Sequence, residues 1–108
     1  MTRKELICAL VMRAIADDYE SIETVSAEVS KWASERRLAT SQTEVIAQLN
    51  AVVAQGLAKV YGTSQRGHLV EMRSPKASSD SYFHLTDEGT RMLKQMLSEV
   101  WIESDWTP

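Results

Sequence analysis

Cysteine occurs once in these 108 residues, at Cys8, so the chain can form no internal disulfide. No partner ligands stand at zinc spacing from it, and on the apolar side of a helical pattern it reads as a small core residue rather than a redox centre. The two histidines, His68 and His84, fall in strand-like stretches and are spaced with neither Cys8 nor a carboxylate pair. No catalytic residue, metal site or cofactor site is therefore expected. The four glycines, at 56, 62, 67 and 89, match neither phosphate-loop fingerprint. No apolar run approaches the roughly 18 to 20 residues of a membrane span. The stretch bracketed by Glu5 and Arg13 resembles an amphipathic helix more than a secretory signal, so the expected compartment is the cytoplasm.

What is present is ordinary in amount and uneven in distribution. The chain is 44% hydrophobic and 25% charged, with a net charge of −3, which suits a single globular domain over residues 1–108. Residues 1–35 carry −3, residues 36–76 carry +4 and residues 77–108 carry −4. Positive charge is thus gathered in the middle third.

That third holds the stretch around which the rest is organised, SQTEVIAQLNAVVAQG at residues 41–56. Ser41 and Glu44 have the spacing of a capping box, which predicts a helix from Gln42. Val45, Ile46, Leu49, Val52 and Val53 form an apolar stripe of period 3.6, and Gly56 supplies a left-handed stop. The opposite face, Gln42, Thr43, Ala47, Gln48, Asn50, Ala51 and Gln55, is uncharged and rich in amides. It suits a polar partner or plain solvent.

Before it, residues 3–17 repeat Leu6, Ile7, Leu10, Val11, Ala14 and Ile15 at helical spacing, and residues 20–23 read as a short extended piece. Thr24 can cap a second helix reaching Arg37, with Val25, Val29, Trp32 and Ala33 inward and Arg36 and Arg37 in its last turn. So short a connector, residues 38–40, forces the two helices to cross. After Gly56, residues 57–61, 68–73 and 82–85 read as strands separated by turn-rich segments. Thr86 then caps a last helix with Asp87 and Glu88 in its first turn, and residues 102–108 read as a mobile tail.

This order, helix, short strand, helix, tight connector, capped helix, β-hairpin and helix, resembles the winged helix-turn-helix domain of transcriptional regulators. Tyr82-Phe83-His84-Leu85-Thr86-Asp87-Glu88-Gly89 is similar to the Y-x-L-T-x-x-G signature where the wing enters the closing helix in MarR-like and PadR-like families. Phe83 and Leu85 would face the core, Thr86 would cap, and Gly89 would let the first turn pack closely. The implied fold class is α+β, with a three-helix core, a β-hairpin wing and a C-terminal closing helix; residues 62–80 are long for a simple wing and leave room for an extra strand. The resemblance implies duplex DNA as partner and residues 42–55 as recognition helix. Gln42, Thr43, Ala47, Gln48 and Ala51 would then read bases, and Arg36, Arg37, Arg66, Arg73 and Lys76 would meet phosphates.

The closing helix carries two adjacent apolar stripes, and one of them, Met92, Met96, Val100 and Trp101, suits a second copy of the chain. An acidic pI near 5.3 and a recognition helix without Lys or Arg also fit an alternative, a protein-protein interaction module on the same fold.

Overall fold

Among the described residues the chain forms four helices and a four-stranded antiparallel sheet. The computed structural model describes residues 3–63, 67, 69–71 and 81–100. Helix α1 covers Arg3–Ala14. Its apolar face is wider than the periodicity predicts, because Ala9 and Met12 are buried as fully as Ile7, Leu10 and Val11. Three helices pack against it, and in its second half only Arg13 is more than slightly exposed.

Strand β1, Glu20–Ser21, confirms the short extended piece and leads directly into α2, Ile22–Ser34. The cap of α2 is Ser21, not the expected Thr24: the Ser21 hydroxyl accepts from the Thr24 amide at 3.3 Å. The cause is non-local. Ser21 pairs with Tyr82 of β4 and so holds the extended backbone that an N-cap requires. The helix consequently starts at Ile22, which is buried together with Val25, Val29 and Ala33.

Helix α3 covers Gln42–Ala54. From it the chain passes into β2 (Ala58–Thr63), β3 (Leu69–Glu71) and β4 (Tyr82–Leu85), which stand in the sheet order β1-β4-β2-β3. The central pairing sets Ala58 opposite Leu85, Val60 opposite Phe83 and Tyr61 opposite Tyr82. Ala58, Val60, Phe83 and Leu85 are all buried, so one face of the sheet closes the helical core. β3 adds to the outer edge of β2 and falls within the strand expected over residues 68–73. On the other face Tyr19 contacts Tyr61 edge-on at 4.9 Å and His84 at 4.8 Å. His84 Nδ1–H donates to the Leu85 carbonyl at 2.8 Å, which fixes its tautomer.

The closing helix α4 covers Asp87–Val100 and docks through its first turn. The Gly89 amide donates to the Thr86 hydroxyl at 3.0 Å, as the capping pattern predicts, and that hydroxyl donates to the Gly56 carbonyl at 2.8 Å. A third bond, Thr86 N–H to Leu57 O at 3.0 Å, fastens the same junction. A Cβ on Gly89 would lie 2.0 Å from the Leu57 carbonyl oxygen, so only glycine fits there. Beyond this turn Leu93 is buried and Met96 packs half-buried against the core. The tail expected at residues 102–108 lies outside the described residues.

Candidate nucleic-acid interface

The unit formed by α2, the connector and α3 is shaped by two left-handed stops of the same kind. At the end of α3 the Gly56 amide donates to Val53 O at 3.0 Å and the Leu57 amide to Val52 O at 2.9 Å, with Gly56 at φ 76. At the end of α2 the Arg37 amide donates to Ser34 O at 3.0 Å and the Leu38 amide to Ala33 O at 2.9 Å. Both are Schellman stops, in which a left-handed residue lets the chain satisfy the last carbonyls of the helix. In the second, the left-handed residue is Arg37, at φ 59. Such a conformation costs an ordinary side chain roughly 1 kcal/mol that glycine would not lose. Arg36 and Arg37 therefore lie beyond α2 in a turn, not in its last helical turn as the periodicity predicts. Leu38 folds back against the core, and the connector then runs to Ser41.

Ser41 is the N-cap of α3, accepting from the Glu44 amide at 3.2 Å. The Glu44 carboxylate turns to α1, where it accepts from Arg3 Nε at 3.2 Å and Nη2 at 2.9 Å. Arg3 Nη2 also donates to the Ala39 carbonyl of the connector. No local pattern points to this long-range contact, 41 residues apart in sequence.

Along α3, Val45, Leu49, Val52 and Val53 are buried as expected, but the inward face is rotated from the predicted stripe. Gln48 is only 8% exposed, while Ile46 is half-buried. The expectation that Gln48 points outward is thus corrected: with Val45 and Val52 at the centre of the buried face, its neighbour one turn along is drawn in with them. No buried polar side-chain atom lacks a hydrogen-bond partner among the described residues. The outward face consists of Gln42, Thr43, Ala47, Asn50 and Ala54, with Ala51 half-exposed at its margin. Asn50 occupies its middle, a position that the list of expected base-reading residues omits although the helical period includes it.

Arg37 is exposed and Arg36 half-buried, both at the connector. Arg66, Arg73 and Lys76 lie outside the described residues. On the wing, Lys59 is held by Glu71 at 2.8 Å across β2 and β3, and this bond pushes its ammonium pKa up. Of the residues assigned to a second copy, Met92 is 41% exposed, Met96 is engaged by its own core, the Val100 side chain is outside the description and so is Trp101.

Two features argue about other chemistries. Burial pushes the Cys8 thiol pKa up, with Glu5 adding to the effect and Lys4 opposing it, so the thiol is a poor nucleophile. A hollow of about 240 Å³ between α1 and α2 is lined by Arg13, Asp17, Asp18, Glu20, Glu28 and Trp32. Arg13 already lies 4.1 Å over the Trp32 ring within it. Among the described residues no group of three His, Cys, Asp or Glu side chains could hold a metal ion, and no helix is long and apolar enough to cross a membrane.

The arrangement, three helices, a strand pairing between the first two, a tight connector, a sheet after the third helix and a closing helix docked on its root, decides the fold. It is a winged helix-turn-helix. A solved structure of similar fold is that of a PadR-like transcriptional regulator from Bacillus cereus, with a TM-score of 0.65 and 16% identity over 94% of this chain and 86% of that one. No family model and no curated protein matches the sequence. In winged-helix terms α2, the connector and α3 form the helix-turn-helix and β2 to β4 form a three-stranded wing.

Proposed function

We propose that this winged helix binds duplex DNA as a small transcriptional regulator, with α3 in the major groove. The observation that carries this reading is the outward face of α3: Gln42, Thr43, Ala47, Asn50 and Ala54 offer short amide, hydroxyl and methyl groups with no acidic side chain among them. Amides suit adenine edges and small apolar groups suit the thymine methyl. Beside this face Arg37 keeps a left-handed backbone that glycine would hold more cheaply, which fits a side chain retained for contact rather than for folding. Arg36 and Arg37, together with Arg66, Arg73 and Lys76 of the same +4 segment of the sequence, would supply phosphate contacts. The similar fold of a solved PadR-like transcriptional regulator supports the class of function.

A homodimer through α4 belongs to the same reading. Met92, exposed beside buried Leu93, would meet a second copy, and the sequence adds the apolar residues Val100 and Trp101 to that surface. Two copies would double the phosphate contacts and match a two-fold DNA site.

The Arg36→Ala/Arg37→Ala double variant tests the phosphate assignment. It should weaken binding to every duplex sequence alike and reduce the slope of log affinity against log salt by about 2 per bound chain, roughly one unit per contact removed. Wild-type affinity in that variant would refute it. The absence of Lys and Arg from α3 favours a second reading, a protein-interaction module, whose binding to its partner would scarcely change with salt.

A further inference from the structure

We propose that Arg3 is a positioning residue that sets how the outward face of α3 is presented; the claim about DNA rests on the reading above. One guanidinium gathers the three segments that determine where α3 begins. It rises from the first turn of α1, forks onto Glu44 in the first turn of α3 at 2.9 and 3.2 Å, and donates to Ala39 in the connector. The two side chains are 48% and 30% exposed, so the pair adds little to global stability. The buried cluster of Ile7, Leu10 and Leu49 already joins α1 to α3. What the fork adds is direction, because a planar guanidinium gripping both carboxylate oxygens fixes the plane as well as the distance.

The pair also answers an electrostatic problem. Glu44 is the only acidic residue between Arg36 and Val70, and it stands at the N-terminal turn of the proposed recognition helix. Uncompensated, its carboxylate would oppose the DNA phosphates beside that turn. Arg3 neutralises it from the side of α1, away from the Gln42, Thr43 and Ala47 face.

The test combines amide exchange with duplex affinity in Arg3→Gln and Arg3→Lys. The Glu44 and Val45 amides, bonded to the Ser41 hydroxyl and carbonyl, report the first turn of α3. Both variants should exchange there about fivefold faster, the factor supplied by an exposed ion pair at the upper end of its usual range. Lys keeps the charge without the fork, so it should not rescue exchange. Duplex affinity should fall about fivefold in Arg3→Gln with the salt slope unchanged and the melting temperature moved by only a few degrees. In a Glu44→Gln background the added Arg3→Gln change should lose most of its effect on exchange. Unaltered exchange in Arg3→Gln overturns the proposal. A salt slope lower by about 1 with unaltered exchange overturns it too, making Arg3 a direct phosphate contact. If wild-type protein binds no duplex, the DNA reading fails, and the exchange data alone still decide whether Arg3 holds the turn.

Discussion

Replacing Gly89 by alanine should damage this protein far more than a single methyl group suggests. The added Cβ would sit 2.0 Å from the Leu57 carbonyl oxygen and 2.9 Å from a Leu85 methyl, where ordinary contacts begin beyond 3 Å. The Leu57 oxygen belongs to backbone and cannot swing aside, so α4 must move off the root of the sheet by more than 1 Å. That shift stretches Thr86 Oγ1 to Gly56 O, at 2.8 Å, and Thr86 N–H to Leu57 O, at 3.0 Å. Losing two hydrogen bonds at about 1 kcal/mol each, with overpacking of about 1 to 3 kcal/mol, gives roughly 3 to 5 kcal/mol. Alanine's better helix propensity returns about 1 kcal/mol at most, leaving about 2 to 4 kcal/mol. For a domain of this size that is a fall in melting temperature of roughly 10 to 20 °C. Thermal melts followed by circular dichroism measure it directly. The matched control is Gly56→Ala, where nothing lies within 4 Å and only the positive φ is at stake, so the cost should be about 1 kcal/mol. A Gly89→Ala protein that melts within a few degrees of wild type would refute the close approach.

Arg37→Gly should act in opposite directions on two readouts, raising stability by about 1 kcal/mol as left-handed strain is relieved and weakening duplex binding as a cation is lost. Ser41→Ala should lower stability by about 1 kcal/mol through loss of the α3 cap, visible as a lower denaturant midpoint at unchanged slope. Gln48→Ala should likewise cost about 1 kcal/mol while leaving sequence preference untouched, since the side chain faces inward; an altered preference in a binding-site selection would restore it to the reading surface. Burial, then the charges of Glu28 and Asp18, pushes the Glu20 carboxyl pKa up. A raised carboxyl is a liability when ionised, present above its folded pKa and relieved as pH falls through it, so Glu20→Gln should melt higher than wild type at pH 7 and lose that advantage below the ordinary carboxylate range. An equal difference at both pH values would contradict the assignment.

Much of the architecture was legible because it is written locally. Ser41 three residues before Glu44, the alternation of Phe83 and Leu85, and Thr86 three residues before Gly89 each report backbone geometry within one turn or one strand. The features that escaped depend on residues far apart in the chain. Ser21 displaced Thr24 as the cap because it pairs with Tyr82, and the face of α3 turned inward far enough to take Gln48 because α1 and α2 determine what it packs against. The fork from Arg3 to Glu44 belongs to the same class. Periodicity identifies a buried stripe, whereas its rotational setting is decided by neighbours. For the candidate site this difference mattered: the outward face kept Gln42, Thr43 and Ala47, lost Gln48, and centred on Asn50.

The central claim, that this winged helix grips DNA through phosphates around a neutral reading face, is tested most directly by titrating a labelled mixed-sequence duplex with the protein and following fluorescence anisotropy at about 50 mM and about 200 mM salt. With the five proposed phosphate contacts of each chain engaged, ten in a dimer, affinity should fall by about five orders of magnitude across that range. No binding at the lower salt, where electrostatic contacts are strongest, or binding indifferent to salt, would contradict it.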